Sequence, residues 1–166
     1  MDLEKTRIVP RLQAHEEALS HWRYEGEYSF YNPAKPFRAE HPGQPAGSGC
    51  FAWVGSTGEL LGHVSYGPDG RIPIVGEYRY SEDALDIGLG LRPDLCGQGL
   101  GGAFLSLCLR FAQETYGASR FRLSVAAFNQ RAIRAYQKAG FSIEREVTHR
   151  VFHNTFYIMT GTSAGG

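Results

Sequence analysis

Between Leu89 and Gly102 the sequence reads Leu-Gly-Leu-Arg-Pro-Asp-Leu-Cys-Gly-Gln-Gly-Leu-Gly-Gly, an apolar strand end, a proline turn, a glycine-rich loop and a helix start. Glycines Gly97, Gly99, Gly101 and Gly102 let the backbone come close to a ligand. The free N–H groups and the dipole of a helix start favour negative charge, so the chemistry this segment suits is phosphate or pyrophosphate binding. A ligand-free turn would account for the glycines alone. It does not account for their place between a strand and a long amphipathic helix.

Two other phosphate-binding patterns fit poorly. A P-loop closes on Gly-Lys-Ser or Gly-Lys-Thr, and no lysine occurs between Lys35 and Lys138. The spacing Gly97, Gly99, Gly102 satisfies the dinucleotide pattern, but five residues separate Leu91 from the first glycine, where that turn allows almost none. The next apolar strand runs Leu123-Ser124-Val125-Ala126-Ala127 and ends without the acid that would hold a ribose. Metal chemistry is equally unsupported. His15-Glu16 fails the His-Glu-x-x-His pattern because Leu19 fills its last place, and His149 and His153 merely flank a turn.

The elements around this segment are legible from periodicity. The 166 residues suit one domain, expected over 1–160 with a frayed tail at 161–166. A short strand at Thr6–Val9 and a helix at Leu12–Trp22 precede an aromatic cluster, Tyr24 to Tyr31, that fits a structured loop or short helix. Pro33 to Gly49, with four prolines, reads as a long loop. Phe51–Val54 and Leu60–Tyr66 form a hairpin, with a short strand expected at Ile72–Val75 and a longer one at Ala84–Leu91. A helix over Gly101–Tyr116 buries Phe104, Leu105, Cys108, Phe111 and Ala112 on one stripe. Then come a strand at Phe121–Ala126, a helix capped by Asn129 and closed by Gly140, and a hairpin of Phe141–Phe152 with Thr155–Met159. The order implies a mixed α/β sheet with at least one parallel pair.

Composition narrows the partners. Lys+Arg and Asp+Glu both number 17, so no basic field exists to draw in nucleic acid or an anionic membrane. No apolar run nears the roughly 20 residues of a membrane helix. Cys50, Cys96 and Cys108 suit neither a disulfide framework nor a zinc site, and the amino terminus lacks a signal-peptide core, which together predict a cytoplasmic protein.

The segment resembles the acyl-CoA fingerprint of the GNAT superfamily of N-acetyltransferases: Gln or Arg, two residues, Gly, any residue, then Gly or Ala. Here it falls on Cys96, Gly97, Gln98, Gly99, Leu100 and Gly101, with Cys96 in place of the usual Gln or Arg. Leu91-Arg92-Pro93 is similar to the strand end and proline turn before that fingerprint, and Asn129, Ala132, Tyr136 and Gly140-Phe141 to the residues after it. The resemblance is specific over Ala84–Phe141 and fades before Gly49. It implies a single mixed, mostly antiparallel sheet of about seven strands with flanking helices, acetyl-CoA as cosubstrate without a metal, and an amine acceptor.

The same resemblance implies roles. Backbone at Leu89 and Leu91 pairs with the pantetheine arm, with the Leu91 N–H on the thioester oxygen; Cys96 to Gly102 and Asn129 hold the coenzyme. Tyr136 protonates the departing thiolate, and Asp86, or Glu77 or water, acts as base. Trp22, Tyr24, Tyr28 and Tyr31 lie where relatives build the acceptor site, and aromatic faces interleaved with Glu25 and Glu27 suit a cationic amine. A non-catalytic CoA-binding regulatory module is the alternative, and a dinucleotide oxidoreductase a distant third; monomer and homodimer both remain open.

Overall fold

The computed structural model describes residues 1–162. Seven strands form one mixed sheet: β1 (Arg7–Pro10), β2 (Cys50–Val54), β3 (Leu60–Tyr66), β4 (Leu85–Leu91), β5 (Arg120–Ala126), β6 (Ser142–Thr148) and β7 (Thr155–Thr162), in the order β1-β2-β3-β4-β5-β7-β6. The helices are α1 (Gln13–Leu19), α2 (Leu100–Tyr116) and α3 (Gln130–Lys138). By its contacts the chain gathers into two compact units that alternate along the sequence, residues 1–65 with 89–96, and residues 66–88 with those from 97 on.

In the first unit, β1 pairs antiparallel with β2, and β2 with β3, as the turn residues Gly55 to Gly58 require. Ala52, Trp53 and Val64 are fully enclosed. Arg11, only 6 % exposed, ties the unit together. Its Nε donates to the Phe51 carbonyl at 3.1 Å and Nη2 to the Val64 carbonyl and Ser65 Oγ at 3.0 Å each, while Nη1 meets Glu16 at 2.9 Å. A buried guanidinium is tolerable because its donors are met in this way.

The second unit is built around α2. Its apolar residues recur at helical spacing, so Phe104, Leu105, Cys108 and Ala112 turn to one side and are fully buried. Phe121, Leu123, Ile158 and Met159 of β5 and β7 complete this core, each large side chain contributing about 1.5–3 kcal/mol. The α2 crossover makes β4 and β5 parallel, with Leu85, Asp86 and Ile87 opposite Phe121, Arg122 and Leu123. β7 lies antiparallel between β5 and β6.

Three expectations from the sequence need correction. Ile72–Val75 is not a strand: only an isolated bridge joins Ile74 to His149. The last hairpin turns earlier than expected, because the half of it after Thr148 is recruited into the turn. There His149 Nδ1 accepts from the N–H groups of Val151 and Phe152 at 3.1 and 3.2 Å, and His153 takes a φ of +63°. Finally, Gly161 and Thr162 belong to β7, where a Cβ on Gly161 would lie 2.9 Å from the Phe141 ring. The rest of the expected tail, residues 163–166, lies outside the described residues.

Candidate active site

The glycine-rich loop is shaped by backbone conformation. After one 3-10 turn at Pro93–Leu95, Gly97 and Gly99 both carry a φ of +76°, a region that costs other residues about 1–2 kcal/mol. Gly99 is the N-cap of α2, and no side chain caps the helix. The first N–H groups of a helix lack intrahelical partners, so at Leu100, Gly101 and Gly102 they, with the helix dipole, favour an anion. Gly101 and Gly102 face open space, since a Cβ on either would meet nothing within 4 Å. One contributor escaped the sequence reading: the Arg131 guanidinium of α3, whose Nη1 lies 3.5 Å from where a Gly97 Cβ would be. It sets a cation beside the loop. The signal was available only as a residue two places after Asn129 in a helix that returns to the loop.

Along α3, Asn129 is the expected cap, its Oδ1 accepting from the Ala132 N–H at 3.2 Å. Tyr136 lies seven residues on, two helical turns, and so on the same side as Asn129. It is half-buried, its ring centre 6.3 Å from that of Phe141. Both residues thus stand in the unit that holds Gly97 to Gly102.

Strand β4 separates two kinds of residue. Side chains alternate across a strand, so Leu85, Ile87, Leu89 and Leu91 share one face and Asp86, Gly88 and Gly90 the other. Asp86, 2 % exposed, meets the Arg122 guanidinium on both oxygens, at 2.6 and 2.9 Å, and Arg71 Nε at 2.8 Å. The Tyr80 ring lies beneath both guanidinium groups, 5.0 and 5.1 Å from their central carbons. This hydrogen bonding, with Asp86 first, raises the Arg122 pKa. Both oxygens of Asp86 are thus engaged by guanidinium groups. Glu77, the other acid candidate, is exposed and lines a cavity of about 250 Å³ with Arg79, Arg120, Arg122 and Arg145. That cavity contains none of the fingerprint residues.

At the other end of β4, the first unit gathers Leu91, Cys96, Trp22 and Tyr24. The Tyr24 hydroxyl donates to the Leu91 carbonyl at 2.6 Å, and burial is the main cause of its raised pKa. Cys96 Sγ turns back to the Arg92 and Leu91 carbonyls at 3.7 and 4.0 Å. Tyr31, 37 % exposed, stacks edge-on against Tyr24 at 6.4 Å. Tyr28 lies in the 3-10 turn Gly26–Tyr31, and Glu25 and Glu27 beside it are exposed. The Trp22 ring is 6.0 Å from that of His63 on β3, and a Cβ on Gly90 would fall 2.5 Å from His63 Nε2. Among the described residues, no cluster of three or more His, Cys, Asp or Glu is arranged to hold a metal.

Residues 13–141 match the model of the acetyltransferase (GNAT) family. Among solved structures, a spermidine N-acetyltransferase SpeG chimera from Vibrio cholerae and hSSAT is 14 % identical with a TM-score of 0.64, over 95 % of each chain. The ribosomal-protein-S5-alanine acetyltransferase from Vibrio fischeri is 13 % identical with a TM-score of 0.62, over 99 % of this chain and 97 % of that one. A GNAT-family acetyltransferase from Bacillus anthracis is 15 % identical, with a TM-score of 0.53 over 69 % of this chain and 66 % of that one. No curated protein matches in sequence. At these identities the structural likeness speaks for the fold.

Proposed function

The chain belongs to the GNAT acetyltransferase family, and on that premise we propose that it transfers an acetyl group from acetyl-CoA to a primary amine of a small molecule or polypeptide by direct attack. The observation that carries the reading is the α2 N-terminus without a side-chain cap, fronted by two left-handed glycines, with Arg131 beside it. It suits the pyrophosphate of the coenzyme. Cys96 in the fingerprint removes a long polar side chain but no backbone donor, so the fit survives that departure. Cys50, Cys96 and Cys108 form no disulfide, which is compatible with a cytoplasmic setting.

Backbone at Leu89 and Leu91 is assigned to the pantetheine arm and thioester. The Arg92 N–H donates to the Leu61 carbonyl at 2.9 Å, toward β3. Successive N–H groups of a strand point to opposite edges, so the Leu91 N–H points away from β3. The ladder of β4 with β5 spans only Leu85–Ile87. Leu91 N–H therefore suits the role of oxyanion donor, a contact whose value rises as charge develops. The amine nitrogen attacks the thioester carbon, a C–N bond forms as the C–S bond breaks, and the Tyr136 hydroxyl gives its proton to the departing sulfur. The surplus proton on nitrogen passes to water, which also serves in place of Asp86 as base and restores Tyr136.

Thiol release from acetyl-CoA, followed with a panel of amines, tests this. The panel spans polyamines, including the spermidine named for one structural neighbour, and peptide α-amines, including one on alanine, the residue named for another. Release stimulated by at least one amine is expected. Tight CoA binding with no stimulated release would leave a coenzyme-binding regulatory module instead.

A further inference from the structure

His63 is a residue that the mechanism above leaves without a task. It stands on β3 with its Nε2 over Gly90, the glycine between Leu89 and Leu91, and a methyl group at Gly90 would drive into the ring at 2.5 Å. Glycine at 90 is what makes room for the imidazole. Trp22 covers the ring at 6.0 Å, and Tyr24, two residues on, grips Leu91. Neither ring nitrogen of His63 has a hydrogen-bond partner among the described residues, and the side chain is partly open to solvent. Two other histidines use a ring nitrogen structurally: His15 Nδ1 accepts from the Leu12 N–H at 2.9 Å, and His149 Nδ1 holds the last turn. A half-buried imidazole beside a tilted aromatic ring, with no hydrogen-bond partner among the described residues, has its acceptor nitrogen available to a ligand.

We propose that His63 binds the acceptor, its Nε2 accepting a hydrogen bond from the N–H of a neutral primary amine held beneath Trp22 and over Gly90. The inference rests on the transfer reading and names the residue that receives the nucleophile. Burial, with the Arg11 charge second, pushes the His63 pKa down to about 3, so the ring is a neutral acceptor throughout the physiological range. The same two causes disfavour an ammonium ion beside it. A nucleophilic amine attacks only as its free base, a form that a peptide α-amine, whose ordinary pKa is about 7.7–8.0, reaches more readily than an aliphatic polyamine.

The test uses the amine that the full-length chain turns over. His63→Phe keeps a ring but deletes the acceptor, and should raise KM for the amine by about three- to tenfold, the range of one hydrogen bond, with KM for acetyl-CoA unchanged. His63→Gln restores an acceptor oxygen and should recover most of the loss. In the unsubstituted protein with CoA bound, titration with the amine should shift the His63 imidazole nitrogen resonances, a readout that needs no variant to fold. An unchanged amine KM in His63→Phe, equal rises for both substrates, or unmoved His63 resonances would overturn the inference while leaving acetyl transfer intact. Failure of the unsubstituted chain to release thiol with any amine would overturn the transfer reading and this inference with it.

Discussion

Asp86 and Gly90 project from the same face of β4, four residues apart, and their surroundings could hardly differ more. Asp86 is sealed from water, with Arg122 across both its oxygens and Arg71 on one. Gly90 has no side chain, and in the space it leaves stands a histidine whose nitrogens have no hydrogen-bond partner among the described residues. Satisfied charge holds structure, whereas a half-buried imidazole that makes no hydrogen bond to the protein is free to make one to a ligand. Asp86 is engaged by two guanidinium groups, whereas the Gly90 end of the strand is where we propose that the acceptor binds.

The largest expected effect breaks the comparison at its first end. Asp86→Asn leaves the buried Arg122 uncompensated and should cost about 3–5 kcal/mol of stability, read by urea unfolding, while kcat of the folded fraction stays near normal. Unchanged stability with a hundredfold lower kcat would make Asp86 the base and erase the distinction drawn here.

Next in size is Tyr136→Phe, which removes only a hydroxyl. We expect kcat to fall about ten- to a thousandfold, near the usual range for one general acid, with CoA affinity and melting temperature little changed. Near-normal kcat with a lower Tm would return Tyr136 to packing on Phe141.

Tyr24→Phe sharpens the Gly90 end. Loss of its bond to the Leu91 carbonyl should cost about 0.5–1.5 kcal/mol, visible as a modest Tm decrease, well below the effect of Asp86→Asn. A loss as large as that of Asp86→Asn would mean that both ends of β4 are structural locks.

The last effect is a slope with pH. His63 is held near 3 in the folded chain against an ordinary value of 6.5, and burial also lowers His15 and His149. Between those values the unfolded chain binds more protons than the folded one, so stability is full above about pH 6.5 and falls as pH drops toward 3. His63→Gln should flatten that decline in unfolding curves taken from pH 6.5 to 4. Equal slopes would mean that His63 titrates alike in both states.

How much of this was legible beforehand follows from which atoms do the work. The phosphate binding we propose rests on backbone conformation, and glycine at 97 and 99 announces a positive φ by its identity, so the loop and the helix behind it could be read directly. So could α2, whose buried stripe repeats at 3.6 residues, and the cap at Asn129. The proposed acceptor side depends on residues far apart in sequence: Trp22, His63 and Gly90 come together only in the folded chain, and nothing local to His63 sets it apart from the structural histidines. The ion pairing of Asp86 was hidden for the same reason, since Arg71 and Arg122, its partners, are 15 and 36 positions away.

Calorimetric titration of acetyl-CoA into the protein and into Gly101→Asp bears most directly on the central claim. Gly101 has an ordinary backbone and open space before its Cβ position, so the aspartate should fold unstrained, unlike a substitution at Gly97 or Gly99. It places a negative charge at the α2 N-terminus, where the account seats the pyrophosphate. We expect measurable binding to the unsubstituted chain and its loss, with Tm in the absence of coenzyme preserved, in Gly101→Asp. Equal affinities in the two would contradict the assignment of this helix start to the coenzyme.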